Sequence, residues 1–157
     1  MIIKNVIIED FLQYRKPSLF IIFPKCSFKC DREFGTQICQ NCSIIKEPDI
    51  EITSSVLIKK YLANPITKAV VCGGLEPFDS FDDLMDFVTQ FRSVSTDDIC
   101  VYTGYNKSEI ESQIRQLSQF ENIIIKFGRY IPNQEKHFDP VLGVYLASDN
   151  QYAEKIS

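Results

Sequence analysis

Residues 68–92 read KAVVCGGLEPFDSFDDLMDFVTQFR, and this stretch decides the fold. Lys68 to Cys72 (KAVVC) is a short apolar run with the valine content and length of a buried strand. The loop GGLEPFDS follows, opened by two glycines. From residue 80 to 92, Phe81, Leu84, Met85, Val88 and Phe91 recur at three- and four-residue intervals, which gathers them on one helical face. Strand, glycine loop and helix in this order are the unit from which parallel sheets are built.

The same order appears on both sides of this stretch. Downstream, Ile99 to Thr103 reads as a strand, Gly104 as a turn, and residues 107–119 as a helix whose apolar face is Ile110, Ile114 and Leu117, with Ser108 as the expected cap. Upstream, Leu19 to Phe23 (LFIIF) reads as a buried strand that runs into a cysteine-rich loop at Pro24. Residues 53–62 place Val56, Leu57, Tyr61 and Leu62 at helical spacing, with Thr53 as cap and Asn64-Pro65 as stop. Ile123–Phe127 and Val144–Ala147 complete the strand set.

Strands alternating with helices predict an α/β fold with about five parallel strands and helices on the outside, fewer than the eight that close a full barrel. The expected architecture is a partial, open β/α barrel forming a single domain over residues 1–157. Ligands in such sheets sit at the carboxyl ends of the strands, where the cysteine loop, GGLEPF and the turn after Tyr102 all emerge.

Composition narrows the classes. Apolar residues make up 45% of the chain and charged residues 24%, the balance of a folded globular protein. The net charge of -4, with lysine and arginine scattered, argues against a nucleic-acid partner. No apolar stretch is long enough to span a bilayer, and Lys4, Glu9 and Asp10 interrupt the apolar N-terminal segment, so the expected compartment is cytoplasmic, with no membrane partner.

Six cysteines without a secretion signal then read as reduced thiols. Cys72 and Cys100 each end an apolar run and behave as small core residues. Cys26, Cys30, Cys39 and Cys42 are spaced C-x3-C-x8-C-x2-C within CSFKCDREFGTQICQNC. Thiolates grouped this closely suit either an iron-sulfur cluster or a four-cysteine zinc staple. Gly73 and Gly74 let the backbone approach a ligand, and the carboxylate of Glu76 beside them is suited to an ammonium group. His137, the only histidine, lies in the polar stretch NQEKHFDP and takes no role. The acidic residues Asp79, Asp82, Asp83 and Asp86 fall early in their helix, where they offset its dipole.

Cys26-Ser27-Phe28-Lys29-Cys30 resembles the start of the radical S-adenosylmethionine signature, in which cysteines spaced C-x3-C-x2-C hold a 4Fe-4S cluster. Glu33 stands where the third cysteine of that spacing falls, as if six residues had been inserted. The resemblance carries the third ligand to Cys39, because Ile38 matches the family's apolar position and Cys39-Gln40-Asn41 is similar to the C-H-N of the small radical activases. Cys42 is an alternative or a fourth ligand.

Gly73-Gly74-Leu75-Glu76-Pro77 resembles the family's GGEP segment, which holds the methionine amine. Val101 to Tyr105 (VYTGY) resembles a YTGY stretch of the anaerobic ribonucleoside-triphosphate reductase activating proteins. Gly128-Arg129-Tyr130-Ile131 falls at that family's glycine-led segment, and residues 147–151 (ASDNQ) are similar to its terminal run.

The resemblance implies cluster ligation by Cys26, Cys30 and Cys39 and S-adenosylmethionine contacts from Ile38, Gln40, Gly73, Gly74, Glu76 and Thr103. The implied activity is that of a glycyl-radical enzyme activase, in which a 5'-deoxyadenosyl radical takes hydrogen from a glycine of a partner. That partner is expected to be the large subunit of anaerobic ribonucleotide reductase, with a flavodoxin- or ferredoxin-type electron donor. The competing readings are an activase for another glycyl-radical enzyme, such as pyruvate formate-lyase, and a non-catalytic protein binding zinc or an iron-sulfur cluster. No catalytic residue beyond the cluster is assigned.

Overall fold

The computed structural model describes residues 1–157. Two short strands open the chain, β1 (Ile2–Ile3) and β2 (Asn5–Asp10), and β3 (Ser18–Phe23) follows. The cysteine segment contains a six-residue helix, α1 (Lys29–Phe34), and a 3-10 turn, Cys42–Lys46. Next come β4 (Ile50–Glu51), α2 (Ser54–Ala63), β5 (Ala69–Gly74) and α3 (Phe81–Arg92), then β6 (Asp98–Tyr102), α4 (Glu111–Leu117) and β7 (Ile123–Phe127). The chain ends with β8 (His137–Asp139), β9 (Val144–Leu146) and β10 (Tyr152–Lys155).

Six strands form one mixed sheet in the order β10-β7-β6-β5-β3-β2. The inner four run parallel, and both edge strands are antiparallel to their neighbours. The structure departs from the sequence-based expectation at three places. Val144–Leu146 does not join the parallel set; it pairs antiparallel with β8 in a separate hairpin, so four strands are parallel rather than about five. The edge strands β2 and β10 are additions. The predicted helix from 107 begins as a 3-10 turn, Lys107–Glu109, capped at Asn106 by the Glu109 carboxylate, and α4 starts after Ile110, so Ser108 is not a cap.

The sheet has two unlike faces because side chains alternate along a strand. Leu19, Ile21, Val70, Cys72, Ile99, Val101, Ile123 and Ile125 point to one side, where α2, α3 and α4 bring Leu57, Tyr61, Leu84, Phe87, Phe91 and Leu117 into one core. Phe91 sits at its centre, edge-on to Tyr61 at 4.9 Å and stacked on Phe87 at 5.7 Å. On the other side Ala69, Val71, Cys100 and Ile124 pack against Tyr14, Leu142, Leu146 and Ala153, contributed by loops, the hairpin and the last strand. None of α2, α3 and α4 covers that side, and a cavity opens there under the cysteine segment.

Two buried polar groups hold the loops to the sheet. The Asp139 carboxylate accepts from the backbone N–H groups of Val141, Leu142 and Ala153, which ties the hairpin turn to β10. Lys4 donates to the carbonyls of Ile45 and Glu47 and pairs with Asp49 at 2.7 Å, which fixes the segment after Cys42 beside β1. No helix is long and apolar enough to cross a membrane.

Candidate functional site

A cavity of about 390 Å³ lies on the side of the sheet away from α2, α3 and α4, at the carboxyl ends of the parallel strands. Its wall carries Cys26, Cys30 and Cys39, together with Gln40, Gly74, Glu76 and Thr103. These are seven of the nine residues singled out in the sequence. The other two, Ile38 and Gly73, adjoin it: Ile38 precedes Cys39, and Gly73 is the buried end of β5, where an added Cβ would meet Phe20 and Tyr102 at 3.2 Å. Cys42 does not line the cavity, and its sulfur accepts instead from the Gln37 side chain at 2.7 Å.

The eight residues between Cys30 and Cys39 fold back on themselves. Phe28 takes a left-handed conformation (φ 51°) that turns the chain into α1, and Gly35 (φ 76°) ends the helix in the same region, which glycine enters without strain. The chain then returns, and one oxygen of Asp31 accepts from the N–H groups of both Ile38 and Cys39 at 2.8 Å. Asn41 donates from its side chain to the carbonyl of Gly74 at 2.9 Å, so the end of the loop is tied to the glycine strand. In this way the longer sequence gap still places Cys39 on the same wall as Cys26 and Cys30.

The GGLEP segment meets the cysteine loop directly, through the Glu76 N–H and the carbonyl of Lys25 at 2.7 Å. Gly74 adopts φ +88°, and a Cβ there would lie 2.4 Å from Ile22, so the turn accepts only glycine without displacement. The Glu76 carboxylate is 5% exposed and accepts from the N–H groups of Phe78 at 3.1 Å and Gly104 at 2.8 Å. Burial raises its pKa to about 7, against the pull of those hydrogen bonds. The Cys26 thiol is pushed up to about 12, chiefly by burial, and burial also raises Cys39. A bound metal reverses this preference, because thiolates are the ligating form.

Three polar residues shape the site that the sequence reading left without a role. Lys126 lines the cavity from β7, and burial lowers its pKa to about 8. Arg129 forms a bidentate pair with Glu109, both contacts at 2.7 Å, and this pair holds the Glu109 carboxyl down to about 2. Its Nε lies 3.1 Å from Glu33, so the residue standing at the short-spaced third-cysteine position is an ion-pair partner here. Asp31 is the third. The one available signal for Lys126 is a lone charge within the apolar run IIIKF; nothing local marks Asp31 as a partner of Cys39.

Thiolates brought to one wall in this way suit an iron-sulfur cluster or a zinc ion. The fold and the thiol-lined cavity thus define a protein able to hold a cysteine-ligated metal centre.

The chain belongs to the family described as 4Fe-4S single cluster domain, whose profile matches residues 17–151. That span runs from the residue before β3 to the residue before β10 and takes in all six cysteines. Comparison with curated proteins and with solved structures gave no match.

Proposed function

We propose that this 4Fe-4S protein is a radical S-adenosylmethionine enzyme, specifically an activase that installs a glycyl radical on a partner enzyme. The observation that carries the reading is the division of the four clustered cysteines: three thiols line the cavity and the fourth, Cys42, lies off it. Ligation by Cys26, Cys30 and Cys39 leaves one iron free, and an open coordination position is what separates a reactive metal centre from a closed one. A reduced cluster of this kind supplies the electron that cleaves S-adenosylmethionine to methionine and a 5'-deoxyadenosyl radical.

The chain's own residues hold and enclose the cofactor. Gly74 lets the backbone come close, Glu76 receives the methionine ammonium, and Gln40 and Thr103 line the same wall. Ile38 and Gly73 shape the approaches. We read the four-stranded parallel core as the open part of a β/α barrel whose strand ends face the substrate. The partner we favour is anaerobic ribonucleotide reductase, with a flavodoxin or ferredoxin as donor; the support for it is the run from Val101 to Tyr105.

The test is anaerobic reconstitution with iron and sulfide, then electron paramagnetic resonance of the reduced protein with and without S-adenosylmethionine. A cluster signal that changes on adding S-adenosylmethionine is the expected result. A signal indifferent to it would mean a cluster closed by four protein ligands and would sink the radical reading.

A further inference from the structure

The helix α1 carries Cys30 and occupies the long gap between it and Cys39. Six residues are too few for a helix to persist unaided, and none of those in α1 is buried. Its one large apolar side chain, Phe34, is 49% exposed. Packing therefore does not fix where α1 sits or where Cys30 points.

Charge supplies the fixing instead. Lys29 and Glu33 stand four residues apart, so they share one face of α1, with Cys30 between them in the chain. Lys29 donates to Glu109 at 3.0 Å, and Glu33 meets the Nε of Arg129 at 3.1 Å. The bidentate pair of Arg129 with Glu109 joins these two contacts into a row of four alternating charges. The Tyr105 ring faces both cations, its centre 4.7 Å from the Lys29 ammonium and 5.9 Å from the Arg129 guanidinium.

No other hydrogen bond or ion pair runs from α1 to the fold outside the cysteine segment, since those of Asp31 end on Ile38, Cys39 and Gly35. The receiving pair is firmly held. The Arg129 side chain is 9% exposed, and the Glu109 carboxylate also accepts from the Asn106 N–H at 2.8 Å.

We propose that Glu109 and Arg129 are positioning residues, a charged seat that grips α1 by Lys29 and Glu33 and so aims Cys30 at the cavity. The residue at the short-spaced third-cysteine position thus serves to mount the second cysteine. The inference rests on ligation of the cluster by Cys30 and does not depend on S-adenosylmethionine.

The test is a double-mutant cycle between Glu33→Gln and Arg129→Gln in the anaerobically reconstituted full chain, read as the rate of iron loss to a chelator. Glu33 is largely exposed, so Glu33→Gln should leave the thermal midpoint of the cluster-free protein in place. It should speed iron loss about two- to fivefold, the worth of one partly exposed ion pair. That effect should vanish in the Arg129→Gln background, because Glu33 acts through Arg129. Glu109→Gln keeps an oxygen for the Asn106 N–H but removes the charge, and it should abolish the separate effect of Lys29→Met in the same way. The electron paramagnetic resonance spectrum of the reduced cluster should shift in Arg129→Gln, whereas a loss of stability alone would leave the spectrum of the surviving clusters unchanged. Equal iron loss from wild type and Glu33→Gln, or a Glu33→Gln effect that persists without Arg129, overturns the seat and leaves ligation by Cys30 standing. Full iron content in Cys30→Ala overturns that ligation, and the seat with it.

Discussion

The two sides of the central sheet use the same strands for different ends. Ile125 and Lys126 are neighbours on β7, yet Ile125 is sealed against the helices while Lys126 looks into the cavity. Facing the helices, every strand residue in the core is apolar, and phenylalanine and leucine from α2, α3 and α4 fill the space between. On the cavity side Glu76, Lys126 and Arg129 are each less than a tenth exposed. Apolar burial supplies the stability, and that surplus lets the other side keep charged groups out of water. A period of two residues is therefore the boundary between holding the fold and lining the cavity.

Breaking the cavity side at its centre should have the largest effect. Cys30→Ala is expected to reduce iron and sulfide after reconstitution to background, with the thermal midpoint of the cluster-free protein moved little. Unchanged iron content would remove Cys30 from the ligand set. The converse change is Phe87→Ala on the helix side, which empties a fully buried ring site and should cost about 3–5 kcal/mol in urea unfolding of the cluster-free protein. The molecules that remain folded should take up a full cluster, and if they do not, the two sides are less separate than the packing indicates.

Next comes the pH dependence contributed by Glu76. Its pKa is raised to about 7 in the folded protein, so the native state holds this proton more tightly than the unfolded chain does. The resulting contribution to stability is complete below pH 4.5 or so and is lost as pH rises toward 7. Glu76→Gln should abolish this part of the slope, a relative change of roughly 3 kcal/mol across the window at most. Parallel stability curves for the two proteins between pH 4.5 and 7 would show that Glu76 is not the group responsible.

The smallest effect is expected at Asp31. Asp31→Ala removes the acceptor for two N–H groups and should lower stability by about 1 kcal/mol. Its sharper readout is the cluster, which should lose iron faster on exposure to a chelator. Asp31→Asn keeps a side-chain oxygen as acceptor and should retain most of the wild-type hold. Equal iron loss from all three proteins would separate Asp31 from the placement of Cys39.

Legibility in the sequence follows the same division. The four parallel strands announce themselves as apolar runs, and α2 and α3 by their spacing, because elements buried against a common core carry strong periodic signals. The edge strands were not legible: β2 alternates exposed and half-buried residues, NVIIED, and β10, YAEK, is too short and polar to be distinguished from a loop. Val144–Leu146 has strand character but pairs with β8, since nothing in three residues specifies the partner. At the site, the family resemblance of the motifs pointed to the cavity-lining residues from Cys26 to Thr103. The resemblance carried the third ligand to Cys39 and left Cys42 open; that Cys39 lines the wall and Cys42 does not turns on Asp31, Gln37 and Asn41, whose contacts depend on how the loop closes. Lys126 went unassigned because a single lysine after three isoleucines does not reveal which side it faces.

The fold-back between Cys30 and Cys39 uncouples distance along the chain from distance in space. Phe34, Gly35, Thr36 and Gln37 form an exposed bend whose base is closed by Asp31, and no strand residue depends on their number. A searcher who demands two residues between the second and third cysteines passes over this chain, whereas one who allows a hairpin of variable length with an aspartate just after the second cysteine retrieves it. The same bend is a natural graft point: a peptide tag or a reporter inserted between Gly35 and Gln37 would sit beside the cavity while leaving its thiol-bearing wall in register.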